Sequence, residues 1–351
     1  MRKGILFISV FLLIMALSPV SAQEDDTVIL VTYDSFAISE DVIEAFEASS
    51  GYELEILRLE DAGIMVNQAI LTRENPLGDV LYGVDNTFLS RALDNDLFLP
   101  YKADNLENIA DQFQLDAEEH RVTPVTYGDV CLNYDRAYFE ANDLEVPQTL
   151  ADLAEDEYEG LLVTANPAAS SPGLAFLLTT IAVFGVEGDY TYLDYWADLV
   201  ENDVLVVDGW TEAYYGEFSA ASEEGDRPLV VSYASSPPAE VFFAEEPPEE
   251  APTGAIVADD TCFRQIEFVG VLQNANNVEG AQAFVDFAIS PAFQEDLPLN
   301  MFVFPVIEDA ELPEVFTEFA EIPENPVRMD YTEIDANREA WIEAWTETVL
   351  R

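Results

Sequence analysis

The sequence predicts an α/β protein of two lobes, each built on a doubly wound sheet with the ligand cleft between them. Three observations carry this. The first hundred or so residues alternate β and α patterns, the signature of parallel strands joined by helices. Two long strand-like runs, over 123–134 and 262–272, stand where a chain would cross into a second lobe and return. The 351 residues exceed what one hydrophobic core ordinarily serves, and the 49% apolar fraction is ample for two.

The chain opens on a leader. Arg2 and Lys3 give a charged start, residues 5–17 an apolar run, and Val20-Ser21-Ala22 a small-residue cleavage site. The apolar run is short for a membrane span, and no later segment reaches about 20 apolar residues. No cysteine stands near the cleavage site, so a lipid anchor on a mature N-terminal Cys is not expected. Export to a periplasm or cell exterior is expected. The domain reading is signal peptide 1–22, lobe one 23–126 and 266–351, and lobe two 127–265.

In lobe one, 28–33 reads as a buried strand, followed by the loop Asp34-Ser35-Phe36. Ser39 caps a helix with Val42, Ile43 and Phe46 inward, and Ser50-Gly51 stops it. A strand over 53–57 turns at Leu59-Glu60-Asp61-Ala62-Gly63 into a helix with Met65, Val66, Ala69 and Ile70 inward. A third strand, 79–82, ends in Gly83-Val84-Asp85-Asn86. In lobe two, a strand over 161–164 meets Asn166-Pro167-Ala168-Ala169-Ser170-Ser171-Pro172-Gly173, which opens an apolar helix. Strands over 204–207 and 229–233 follow. The acidic, proline-rich stretch 245–252 reads as an exposed loop. Helices over 278–289 and from Ser290-Pro291 lead to a last helix carrying Trp341 and Trp345, which read as packing residues.

Three strand ends carry an aromatic residue: Tyr33, Trp210 and Tyr233. Ligands of open α/β sheets bind at the carboxyl ends of strands. Trp210, in Val207-Asp208-Gly209-Trp210-Thr211-Glu212, sits where a strand hands over to a helix. An aromatic box with acidic neighbours points to a cationic ligand.

The composition narrows the function further. The chain has 13 basic and 70 acidic residues, a net charge of −57, which repels nucleic acid and anionic lipid. The single histidine, His120, lies beside Glu118 and Glu119, so most nucleophile–base arrangements cannot be built. Metal-ligand spacing, a phosphate loop and a dinucleotide glycine fingerprint are all missing, and an enzyme is not expected. Of two cysteines, Cys131 and Cys262, each lies at or near a crossing strand. In an exported protein they commonly pair; the alternative is two buried thiols. A disulfide between them would staple the crossing strands.

Seven motifs, in order, resemble the periplasmic thiamine-binding proteins, the binding components of ABC importers within the type II periplasmic-binding-protein superfamily. They are Thr32-Tyr33-Asp34-Ser35-Phe36, Leu59-Glu60-Asp61, Gly83-Val84-Asp85-Asn86, Ser170-Ser171-Pro172-Gly173-Leu174, Gly209-Trp210-Thr211-Glu212-Ala213-Tyr214, Ser232-Tyr233-Ala234-Ser235-Ser236-Pro237 and Ser290-Pro291-Ala292-Phe293-Gln294. The resemblance spans nearly the whole mature chain. It implies a two-lobed type II fold closing on thiamine, thiamine monophosphate or thiamine diphosphate, with no cofactor. It implies that Trp210 and Tyr233 sandwich the ligand, and it assigns Tyr33, Asp61 and Ser170 to the site; Asp85, in the loop that ends the third strand, is a further candidate ligand-binding residue. Phe302 stands where the family commonly carries a tryptophan. If the ligand is phosphorylated, Ser170 and the helix start after it would offer donors. The implied partners are a membrane permease and its ATPase, with the binding protein a monomer. Tyr214-Tyr215 keeps a second reading open, a ferric-iron-binding protein of the same superfamily. A third is an acidic cell-surface interaction protein.

Overall fold

A computed structural model describes residues 26–351; the signal-peptide reading of 1–22 lies outside the described residues. Ten strands form one hydrogen-bonded sheet: β1 (Thr27–Thr32), β2 (Glu53–Arg58), β3 (Val80–Asp85), β4 (Thr123–Asp135), β5 (Leu162–Ala165), β6 (Leu205–Val207), β7 (Leu229–Tyr233), β8 (Thr253–Ile256), β9 (Phe263–Val271) and β10 (Phe304–Pro305). The path runs β2-β1-β3-β9-β4-β7-β5-β6, with β8 and β10 also paired to β4.

The path has two wings and a middle. β1 pairs parallel with both β2 and β3, and β5 pairs parallel with both β6 and β7. Strand order therefore reverses at β1/β3 in one wing and at β5/β7 in the other, and such a reversal opens a crevice at the strands' carboxyl ends. The middle pair, β4 and β9, is antiparallel and long, so the two wings share strands instead of standing as separate sheets. This is a two-lobed α/β fold. The inner parallel strands β1 and β7 are mostly buried and read as Val/Ile/Leu-rich runs, whereas the edge strand β2 mixes exposed and half-buried residues.

Local signals place the helices. Ser39 accepts from the Val42 amide to start helix Glu40–Ser50, and Gly51, at φ 80°, ends it in the left-handed region. Helix Ser171–Phe184 is buried over most of its length and is apolar on all sides. The last helix, Tyr331–Val349, lies against both wings. Trp345 meets Trp196 edge-on at 5.4 Å, while Arg338 lies over the Phe88 ring at 5.3 Å and Arg91 pairs with Glu339.

Two covalent or ionic ties pin the middle strands. Cys131 of β4 is bonded to Cys262, immediately before β9, with Cα atoms 4.3 Å apart. On the same pair, the Arg264 guanidinium grips Asp129 through two bonds of 2.6 and 3.0 Å. A charge pair this buried contributes most by fixing geometry, because its desolvation offsets much of its attraction.

Candidate functional site

The carboxyl ends of the two sets of parallel strands face one another across a cavity of about 320 Å³. Tyr33 directly follows β1, Asp61 follows β2, Trp210 follows β6, and Tyr233 ends β7. All four line this cavity, as does Phe302 from the segment before β10. Asp85, the last residue of β3, and Ser170, ahead of helix Ser171–Phe184, do not. Both are fully buried behind the wall, where Asp85 accepts hydrogen bonds from the Thr87 amide at 2.6 Å and from the Ser171 hydroxyl. Ser171 and Pro172 take the place at the wall expected of Ser170.

Trp210 is held on three sides. Its backbone N–H donates to Asp61 Oδ2 at 2.8 Å, and its indole N–H donates to Ser232 Oγ at 3.0 Å. The ring of Tyr214, one helical turn on, stacks on it at 5.2 Å and 25°. The stretch from Ala213 to Glu217 is a π-helical turn, a widening often found at functional sites. The Tyr214 hydroxyl is itself anchored on Glu240. One indole face is therefore covered, and the rest borders the cavity with Tyr233, whose ring centre lies 6.5 Å away at 66°. The Tyr233 hydroxyl accepts from the Gln265 amide at 2.9 Å.

Tyr33 closes the opposite side. Its hydroxyl donates to Glu267 Oε1 at 2.9 Å, and the Thr126 hydroxyl donates to Oε2 at 2.6 Å. The ring fits only because position 83 has no side chain: at Gly83, with φ +100°, a Cβ would sit 2.2 Å from the Tyr33 ring. Phe302 sits in the left-handed region, at φ 51°, and its carbonyl accepts from the Ser235 hydroxyl at 2.7 Å. A side chain held there stores local strain, and functional sites are where such strain collects. Phe242 and Phe243, largely exposed, meet the Phe302 ring at 6.3 and 5.8 Å and form an aromatic rim.

The wall is acidic. Burial pushes Glu267 up to about 7, against the lowering effect of the Thr126 and Tyr33 hydrogen bonds. Enclosure raises Asp61 to about 6, although hydrogen bonds from the Trp210 and Ala62 amides pull it down. Glu267 and Gln265 are among the cavity residues that sequence reasoning missed, with Phe243, Asn300 and Met301. The available signal was the spacing of two between Gln265 and Glu267, which puts both on one face of β9. Among the described residues no group of three or more His, Cys, Asp or Glu could hold a metal ion. No helix among them is long and apolar enough to cross a membrane.

Comparison with known proteins bears on this geometry. Residues 75–322 match the family model of bacterial extracellular solute-binding proteins. The chain belongs to that family. This solute-binding protein is 31% identical over 348 residues to the thiamine-binding periplasmic protein of Escherichia coli (strain K12), covering 97% of this chain and 98% of that one. Its fold matches a solved periplasmic thiamin binding protein with a TM-score of 0.79 and 27% identity, over 93% of this chain and 96% of the other. A ferric binding protein from Campylobacter jejuni matches at a TM-score of 0.72 and 17% identity, over 92% and 99%, which is a likeness of fold alone. The two-lobed architecture of the solute-binding protein is thus the architecture of its relatives.

Proposed function

We propose that this solute-binding protein captures thiamine in the cavity between its lobes and delivers it to the permease of an ABC importer. The observation that carries the reading is that Trp210 and Tyr233 share one cavity with two carboxylates, the half-buried Asp61 and the buried Glu267. Thiamine combines a permanent thiazolium charge with a flat aminopyrimidine. A cation over an indole or phenol face gains about 0.5 to 2 kcal/mol, and a carboxylate accepts from the amino group. The E. coli relative's name points the same way.

In this reading Trp210 and Tyr233 take the two sides of the ligand, Tyr33 and Phe302 close its ends, and Asp61 supplies charge. Asp85 and Ser170 support the site from behind. The lobe boundaries fall at 126/127 and 265/266, within or next to the crossing strands. The protein works as a monomer outside the cytoplasm, without a lipid anchor, and is a carrier and not an enzyme. An ATPase powers the permease it serves. For the iron reading Tyr214 would have to ionise. Burial and Glu240 hold its phenol well above the ordinary range, which disfavours a phenolate ligand.

Mass spectrometry of small molecules released on denaturing the freshly purified protein tests the proposal. Thiamine or one of its phosphates in near-equimolar amount is expected. Bound iron, or a different organic cation, would replace the reading.

A further inference from the structure

The segments that carry Trp210 and Tyr233 are braced to each other twice. In the first brace the Trp210 indole N–H donates to Ser232 Oγ at 3.0 Å, and Ser232 directly precedes Tyr233. In the second the Tyr214 hydroxyl donates to Glu240, on helix Pro237–Phe243, which follows Tyr233. Glu240 is half-buried and stands outside the cavity wall. Its Oε2 also accepts from the Thr253 hydroxyl of β8 at 3.1 Å. One carboxyl group thus joins the π-helical turn after Trp210, the helix after Tyr233 and β8. Burial lifts this carboxyl above its ordinary range, against the lowering effect of the Tyr214 and Thr253 bonds. A group that is costly to bury makes the bonds that satisfy it costly to lose.

Trp210 has two fixed points, its backbone N–H on Asp61 and its indole N–H on Ser232. Two points leave one freedom, the tilt of the ring plane about the line that joins them. The buried Tyr214 ring, stacked on the indole at 5.2 Å and 25°, sets that tilt. Tyr214 is located in turn by the rings of Phe218 and Tyr215, at 5.4 and 5.2 Å, and by Glu240 at its hydroxyl. Ring contacts tolerate sliding, whereas a hydroxyl-to-carboxylate bond is directional and among the stronger hydrogen bonds. Resting on the thiamine reading, we propose that Glu240 is a positioning residue: through Tyr214 it sets the plane of the Trp210 indole, and with it the affinity for a flat cation. A cation gains most over the face of a ring, so a tilted indole loses attraction even though every residue lining the cavity is kept.

Fluorine NMR of the ligand-free protein, labelled with fluorotryptophan, reads the indole directly. The chain has four tryptophans, and the Trp210 signal is the one missing from Trp210→Phe. In Glu240→Ala that signal should shift or broaden while the other three hold. Glu240→Gln, which keeps an acceptor for Tyr214, should restore it. Calorimetric titration with thiamine reads the consequence. Affinity should fall about tenfold in Glu240→Ala and in Tyr214→Phe, and no further in the double variant, as residues acting through one bond require. Glu240→Gln should stay within about threefold of wild type. If Glu240→Ala does not fold, Tyr214→Phe carries both readouts. A role in stability alone would lower the melting temperature and leave the Trp210 signal and the affinity unchanged, and that result overturns the proposal. Losses that add in the double variant overturn it too. Absence of thiamine binding by the wild type defeats the thiamine reading, and the Trp210 signal in Glu240→Ala then decides the positioning role by itself.

Discussion

Asp61 and Trp210 lie 149 positions apart and meet in a single hydrogen bond, carboxylate Oδ2 to backbone N–H, 2.8 Å long. The bond joins the turn after β2 to the turn after β6 and so ties the two wings across the cavity. The close approach has a steric condition beside it. A Cβ at Gly63, two residues after Asp61, would stand 2.4 Å from the Ala169 carbonyl oxygen of the facing wing. Closure and the orientation of the indole are thus one event: the carboxylate that caps helix Ala62–Thr72 also fixes the residue on which the ligand is to stack.

The Trp210→Ala variant removes that stacking face. Loss of an anchoring indole should cost about 2 to 4 kcal/mol of thiamine binding, or about 30- to 1000-fold in affinity. The melting temperature of the ligand-free protein should move little, because Trp210 is half-buried at a cavity wall and not in the core. Trp210→Phe should keep much of the affinity. Paired calorimetry and thermal melting read both quantities, and unaltered affinity in Trp210→Ala rules out the platform role.

The two raised carboxylates give a pH dependence with a definite sign. Glu267 sits at about 7 in the fold against a usual 4.5, and Asp61 at about 6 against 3.8. Each folded-state value is raised, so each group's contribution to the stability of the empty protein is complete below about pH 4 and is lost as pH rises through about 6 to 7. A bound cation favours the ionised carboxylates. Thiamine affinity should therefore increase from about pH 5 to about pH 8, with protons released on binding. Titrations in buffers of different ionisation enthalpy measure that release. Glu267→Gln should weaken binding and flatten the upper part of the profile; a profile as steep as that of the wild type would remove Glu267 from the account of charge.

The disulfide should act on stability and not on the site. Cys131 and Cys262 close a loop spanning 131 positions, and a cross-link of that span stabilises a fold by about 4 to 5 kcal/mol in the chain-entropy view. Denaturant unfolding of a Cys131→Ala, Cys262→Ala double variant should show a loss of that order, with thiamine affinity close to wild type. Two reactive thiols per chain in the denatured, unreduced native protein would contradict the bridge.

The parts of the site that could be read from the sequence were those set by strand ends. Tyr33, Asp61, Trp210 and Tyr233 each follow or finish a parallel strand, and the doubly wound pattern sends all such ends to one crevice. The pattern does not say which of two adjacent residues faces that crevice, and so Ser171 reaches the wall where Ser170 was expected. It also cannot see that Asp85 is drawn behind the wall by the hydroxyl of Ser171, since that contact joins residues 86 positions apart. Glu267 escaped for a different reason. It lies mid-strand in β9, away from any strand end, and one acid among 70 carries no weight until the fold buries it against Tyr33 and Thr126. The crossing strands were legible because their length is unusual for the wings, though their pairing into one continuous sheet depends on register that the sequence leaves open.

The central claim, that the cavity bounded by Trp210, Tyr233, Asp61 and Glu267 binds thiamine, is met most directly by calorimetric titration of thiamine into protein stripped of ligand by unfolding and refolding. The expected result is a saturable isotherm with one thiamine per chain and heat that is lost, at the same concentrations, in Trp210→Ala. The absence of saturable heat from the refolded wild-type protein, with its native melting transition recovered, would contradict the claim.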